Sequence, residues 1–175
     1  MKRRALLLAL PTLALAGCGF TLRGESRIPF TRLHLDAPGL GSAEGDGFFA
    51  SGAGVARKLR TALLADGKTR LVADPAQAEA TVRLTGETRG KSILALSGAG
   101  RVKEYRLSLR LTFSVLDPAG RPLVEPTPVE LFRDFTYDDA QLLAKAAEED
   151  LLYRDMEDDA VRLILRRLRS LPVPR

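Results

Sequence analysis

One cysteine, Cys18, and one histidine, His34, are the only thiol and the only imidazole in the chain. These two groups are the usual soft metal ligands and the usual bases near neutral pH. A single copy of each removes most zinc sites and nucleophile–histidine–acid triads, which need several such groups held together. Carboxylates are plentiful. Nine lie between Asp138 and Asp159 (Asp138, Asp139, Glu148, Glu149, Asp150, Asp155, Glu157, Asp158, Asp159), against Lys145 and Arg154. An acid–base pair needs surroundings that push two pKa values apart, and a cluster on a solvated helix face does not supply them. No catalytic constellation emerges, so the protein reads as a non-enzyme. What remains is binding chemistry. Arg101, Lys103, Arg106 and Arg110 fall close together, and Lys145 stands almost alone among helical carboxylates. Arg and Lys make charge-assisted bonds to phosphate and carboxylate.

Cys18 is placed for a different chemistry. Lys2, Arg3 and Arg4 precede an apolar run, Ala5 to Ala16, broken only by Pro11 and Thr12. A basic start, a short apolar core and small residues before a cut make a secretory signal peptide. The core is too short for a bilayer span, which takes about 20 apolar residues. Leu15-Ala16-Gly17-Cys18 resembles a bacterial lipobox, in which the cysteine sulfur receives a diacylglycerol and cleavage leaves that cysteine first. With an N-acyl chain added, Cys18 becomes an anchor, and no cofactor is called for besides these lipids. One acyl chain binds a membrane only marginally, at about 0.8 kcal/mol per buried CH₂, whereas several hold permanently. No second cysteine exists to pair with Cys18, so an intrachain disulfide is excluded. Gly19 stands where lipoproteins retained in the inner membrane typically carry aspartate, so the resemblance implies the outer membrane. Residues 1–17 are thus expected to be removed and 18–29 to form a lipidated tether.

Removing 17 of the 175 residues leaves 158, about one domain. The leader takes three of 27 basic residues and none of the 22 acidic ones, leaving a net charge of +2. The high pI is therefore largely a property of the leader, and nucleic acid is not implied as a partner.

Several elements must position these side chains. Phe30 to Asp36 alternates as a first strand, with His34 on its polar phase beside Arg32, which makes it a surface histidine. Gly39 to Gly54 is glycine-rich but lacks the GK[ST] of a phosphate loop, and reads as a flexible loop entering a helix at Ser51. Val55, Leu59, Ala62 and Leu63 share one apolar face of that helix, which Gly67 stops. A short strand over 70–73 follows. Ala80 to Leu84 alternates with Val82 and Leu84 inward, and its continuation beyond Gly86 pairs across Ser97-Gly98-Ala99-Gly100 as a long hairpin. In the second arm Tyr105, Leu107, Leu109, Leu111, Phe113 and Val115 alternate with polar residues, predicting one dry and one wet face. Asp117-Pro118-Ala119-Gly120 is turn chemistry. A last strand, with Val129, Leu131, Phe135 and Tyr137, is placed after the breakers Pro122, Pro126 and Pro128.

From Asp139 to about Ser170 the chain reads as helix, its apolar arc (Leu152, Met156, Ala160, Leu163, Ile164, Leu168) interrupted by Glu157 and Arg167. Acidic residues early and basic ones late suit the helix dipole. The order β-α-β-β-β-β-α predicts an α+β fold, an antiparallel sheet of about four strands with two helices packed on one face. It is a single domain over 30–170 with a short tail, 171–175. The hairpin tip then carries Arg101 and Lys103, and the strand's wet face carries Arg106 and Arg110. Any one of these is accounted for by solubility. As a cluster on a membrane-anchored protein they suit anionic lipid headgroups.

The start Cys18-Gly19-Phe20-Thr21-Leu22-Arg23-Gly24 resembles the LptE family, the lipopolysaccharide-assembly outer-membrane lipoproteins. So do the strand with Glu104-Tyr105, Phe132-Arg133, and the run from Leu143-Ala144-Lys145 through Glu148, Asp150 and Asp155-Met156 to Ala160 and Leu168. The match covers nearly the whole mature chain in order. The resemblance implies a plug-like lipoprotein, periplasm-facing, inside the large β-barrel (LptD-type) of the lipopolysaccharide translocon. It implies help in that barrel's assembly and contact with lipopolysaccharide. Family members bear on lipopolysaccharide through basic residues at the hairpin tip and in the Leu-Ala-Lys run. Lys145 matches the second position. At the first this sequence has Gly98 where the arginine would stand, with Arg101, Lys103 and Arg106 following. Two other readings stand beside it. One is a free-standing lipoprotein carrying a small amphiphile between sheet and helices, and the other is a lipoprotein hydrolase. The sequence offers no pocket for the first and no triad for the second.

Overall fold

A computed structural model describes residues 28–37, 54–65 and 67–172. In chain order it contains β1 (Arg32–Asp36), α1 (Gly54–Ala65), β2 (Arg70–Leu71), β3 (Ala80–Leu96), β4 (Val102–Leu116), β5 (Pro122–Thr136) and α2 (Leu142–Arg169). The strands form one sheet in the order β2-β1-β3-β4-β5. The predicted element order and the α+β class hold. The sheet is mixed and has five strands: β1 runs parallel to both β2 and β3, while β3, β4 and β5 are antiparallel. α1 lies between β1 and β2 and permits the first parallel pairing; residues 72–79, with a 3-10 turn at Pro75–Gln77, then cross from β2 to the other side of β1 and permit the second.

Helix-facing residues of β4, Leu107, Leu109, Leu111, Phe113 and Val115, are all buried, as are Val82 and Leu84 of β3. Val55, Leu59 and Leu63 of α1 and Met156, Ala160, Ile164 and Leu168 of α2 close over them. Each large aliphatic side chain buried this way contributes roughly 1.5–3 kcal/mol. Among the described residues, no helix is long and apolar enough to cross a membrane. The predicted wet row of β4 is interrupted, because Ser108 and Ser114 are also buried. Ser108 lies across from Gly90, where an added Cβ would stand 2.5 Å from its hydroxyl.

Gly86 does more than interrupt β3. It has φ +66°, and the register passes from Thr85↔Thr112 to Thr88↔Arg110, one extra residue on β3. This bulge inverts the phase of everything beyond it. Arg89 and Lys91 become partners of Leu109 and Leu107, on the face that the helices cover.

Pro122, Pro126 and Pro128 do not precede the last strand but lie within it. β5 is an edge, and an edge residue whose N–H faces away from its neighbour has no ladder bond to lose. At the tight turn before it, the Asp117 carboxylate accepts the N–H groups of Ala119 and Arg121 (2.9 and 2.8 Å), and Gly120 takes φ +79°. Backbone bonding to Arg121 holds the Asp117 carboxyl below its usual range.

Ser51, the loop before it, Cys18 and the tether up to residue 27 lie outside the described residues. The first N–H groups of α1 are capped from across the fold. Glu87 of β3 accepts from Gly54 (3.0 Å) and Val55 (3.3 Å), and burial pushes its carboxyl up from the ordinary value. Asp138 caps the short 3-10 turn ahead of α2 by accepting the Ala140 N–H at 3.0 Å. The first turn of α2 holds no acid and Gln141 gives no side-chain cap, so the dipole argument applies only at the other end, to Arg166, Arg167 and Arg169.

Candidate functional site: the far end of the sheet

β3 and β4 run on past β1, which pairs only with Ala80 to Arg83, and end in a turn over 97–101. The Ser97 N–H donates to the Arg101 carbonyl (2.7 Å), the Ser97 hydroxyl accepts the Arg101 N–H (3.1 Å), and Gly100 takes φ +75°. The turn thus places Arg101 and Lys103 at the tip, both exposed. Gly98 sits in open space, so nothing around it requires a glycine there.

Lys145 reaches the same end. Its ammonium donates to Glu148 at 2.8 Å and to the Thr136 hydroxyl at 3.5 Å, and Thr136 is the register partner of Glu104. The Tyr137 N–H donates to the Lys103 carbonyl at 2.8 Å, which ties the end of β5 to the base of the hairpin. Residues about forty apart in sequence therefore converge. Lys145 is mostly covered, with 14 % of its side chain exposed.

Arg106, like Lys145, is already paired, but within the sheet. It lies on the uncovered sheet face and forms a bidentate pair with its cross-strand neighbour Asp134, both bonds 2.8 Å. That bonding raises the guanidinium pKa further and lowers that of the Asp134 carboxyl. Arg110 is matched likewise with Glu130 (3.5 Å) and lies over the Phe132 ring at 5.7 Å. The open face is thus a row of internally matched charges, whereas Arg101 and Lys103 join no ion pair among the described residues.

Apolar side chains flank the basic ones. Ile93, Leu94 and Leu96 on the hairpin and Leu142 and Leu143 at the start of α2 are exposed, Leu143 by 86 %. Cationic tips beside exposed aliphatic residues can hold a molecule that is itself anionic at one end and apolar at the other. The sequence reading had the basic residues but not this apolar frame, although Ser92 to Leu96 contains the residues.

Three arrangements escaped sequence reasoning. Glu157 is 3 % exposed and joins Arg89 of β3 and Lys58 of α1, the latter at 3.4 Å. Lys91 lies over Tyr105 (4.3 Å to the centroid), with Phe135 at 5.6 Å and Tyr137 at 5.8 Å, and bonds Glu149 at 2.5 Å. Asp159 pairs with Arg133 of β5 and, at 2.5 Å, with Arg162, and this bonding lowers its pKa. The acidic run of α2 is therefore no purely solvated face. Much of it docks onto basic residues of the sheet, and the bulge at Gly86 was the signal that could have shown it.

His34 is half-buried on β1, its Nδ1 3.0 Å from the Val72 carbonyl, a structural contact beside β2. Among the described residues no group of three or more His, Cys, Asp or Glu could hold a metal ion.

Comparison with known proteins bears on this arrangement. The model of the LptE family, described as lipopolysaccharide-assembly, matches residues 42–168. A Yersinia enterocolitica protein named LPS-assembly lipoprotein LptE is 31 % identical over 166 residues, covering 93 % of this chain and 73 % of its own. A Pectobacterium atrosepticum protein of the same name is 28 % identical over 163 residues, covering 93 % and 83 %. Among solved structures, an uncharacterized lipoprotein B from Nitrosomonas europaea superposes with TM-score 0.70 at 35 % identity, over 87 % of this chain and 91 % of its own. Rare lipoprotein B from Shewanella oneidensis follows the same fold at TM-score 0.62 and 25 % identity, over 79 % and 94 %. The family model spans the hairpin, β5 and nearly all of α2, the elements that build the basic end. The chain belongs to the LptE family of lipopolysaccharide-assembly lipoproteins.

Proposed function

We propose that this protein is an outer-membrane lipoprotein subunit of the lipopolysaccharide translocon. Acylated on Cys18, it faces the periplasm, plugs and helps assemble the large β-barrel partner, and binds lipopolysaccharide during its delivery to the cell surface. Family membership supports the anchor, the barrel and the ligand, since the curated relatives are named for lipopolysaccharide assembly. The observation that carries the ligand-binding part is the convergence of Lys145 with Arg101 and Lys103 at one end of the sheet, framed by exposed Ile93, Leu96 and Leu143. Phosphate groups suit the cations, and acyl chains suit the frame. A charge-matched polar sheet face suits the wet lumen of a barrel. Arg106, already held by Asp134, serves this face rather than the ligand.

The test is a titration of the full lipidated protein with purified lipopolysaccharide in mild detergent. Lys145→Asp combined with Arg101→Asp should weaken binding by at least roughly tenfold, since each charge-assisted bond contributes about 1.5–3 kcal/mol, and should keep a cooperative thermal melt, with any loosening confined to the start of α2. Equal affinity in the wild type and the double variant would remove this site.

A further inference from the structure

The turns of α2 that carry Lys145 are held in an unusual way. Every residue from Leu142 to Leu152 is exposed or only half-buried, and Tyr153 is the first buried residue of the helix. Leu142, Leu143 and Leu151, which would ordinarily anchor such turns, face outward. The N-cap residue provides no side-chain bond. Three polar attachments remain along this stretch. Asp138 caps the preceding 3-10 turn, Lys145 touches Thr136, and Glu149 bonds Lys91. Tyr153 then donates its hydroxyl to the Gly90 carbonyl at 2.7 Å, one residue from Lys91.

Of these, the Lys91–Glu149 contact is the most built. Lys91 reaches it because the bulge at Gly86 turns that side chain to the helix face. The ammonium then sits among three aromatic rings, which are themselves ordered by contact. Tyr105 stacks on Phe135 (5.8 Å between centroids) and meets Tyr137 edge-on (5.1 Å). The rings all belong to the sheet side and hold the ammonium in place, so the Glu149 carboxylate at 2.5 Å is the attraction lost if the helix moves away.

We infer that Lys91 is a positioning residue for the anion site, pinning the start of α2 through Glu149 so that Lys145 lies beside the hairpin tip. The inference rests on the reading of Lys145 as a lipopolysaccharide contact. It separates from simple electrostatics through Glu149. Removing that carboxylate should tighten anion binding if charge alone matters, and should weaken it if the contact positions the helix.

The experiment uses the full lipidated chain in mild detergent, with hydrogen exchange and titration by purified lipopolysaccharide run on Lys91→Met, Lys91→Arg, Glu149→Gln and Lys145→Asp. Lys91→Met and Glu149→Gln should each speed exchange over residues 142–151 by about tenfold while leaving β4 unchanged, because each removes the one charge-assisted bond between sheet and helix there. Both should weaken lipopolysaccharide binding several-fold, and Lys91→Arg should keep wild-type exchange and affinity. Unchanged exchange over 142–151, or tighter binding by Glu149→Gln, would overturn the positioning role. An affinity unchanged in Lys145→Asp would overturn the underlying reading of the site instead, and the exchange result would still decide whether Lys91 pins the helix.

Discussion

Glu157 shows what one side chain can decide. Its position interrupts an apolar helical arc, and on the sequence alone it belongs to a solvated acidic run. In the fold it is buried between Arg89 and Lys58, and an added Cβ at Gly54 would collide with its carboxylate. Arg89 and Lys58 remain about a third exposed, so removing their partner lets them turn to water. Glu157→Ala should therefore cost about 2 kcal/mol, below the roughly 3–5 kcal/mol of breaking a fully buried pair, measured as a shift in urea midpoint at constant slope. Glu87 makes a prediction of opposite sign to most carboxylates here. Its pKa is raised by burial, so its contribution is full below the unfolded value and lost as pH rises through the folded one. Glu87→Gln should gain stability relative to wild type between pH 4 and pH 7. For Glu79, Asp117, Asp134 and Asp159 the values are lowered, by hydrogen bonds to Thr31, Arg121, Arg106 and Arg162 respectively. Their stabilisation is present above the unfolded carboxylate range and is lost as pH falls through the folded values, so the wild type should unfold more easily below about pH 4. Denaturant midpoints at pH 3, 5 and 7 would check both signs.

Elements were the most legible level of the sequence. Period-two alternation in β4 and the Asp117-Pro118-Ala119-Gly120 turn fixed the meander, and the apolar arc fixed α2 to within a few residues. Three features were hidden for separate physical reasons. Parallel pairing of β1 with β3 is set by where the crossover over residues 72–79 returns the chain, which no local pattern encodes. Prolines in β5 read as breakers because only the sheet order reveals an edge. The phase change after Gly86 hides the role of Arg89 and Lys91, because a bulge of one residue leaves composition untouched. α2 itself divides into a packed half and a polar-held half. Ile164→Ala should cost about 3 kcal/mol, within the range for emptying a buried aliphatic site, whereas Leu143→Ala should change stability by less than about 0.5 kcal/mol, as exposed substitutions do. Paired thermal and urea melts of the two variants would read this division directly.

As a whole the molecule has two ends with different chemistry. The base of the sheet, where β1 and β2 join and α1 packs, holds much of the apolar core. The far end holds cations, exposed aliphatic side chains and a helix fixed by charge. The candidate residues Lys145, Arg101, Lys103 and Arg106 were all named from sequence; what was not legible was that Arg106 pairs with Asp134 across the open face, and that Lys91 faces α2. Only the register of β4 with β5 brings Lys145 to the hairpin, and register is a property of the assembled sheet. The chain belongs to the LptE family, and the proposal that follows is that it works as a subunit of a lipopolysaccharide translocon. The most direct measurement is affinity purification of the tagged, lipidated chain from outer membranes in mild detergent, with mass spectrometry of everything retained. A large β-barrel protein recovered in equal amount is the predicted result. A clean monomer with no barrel would contradict the account.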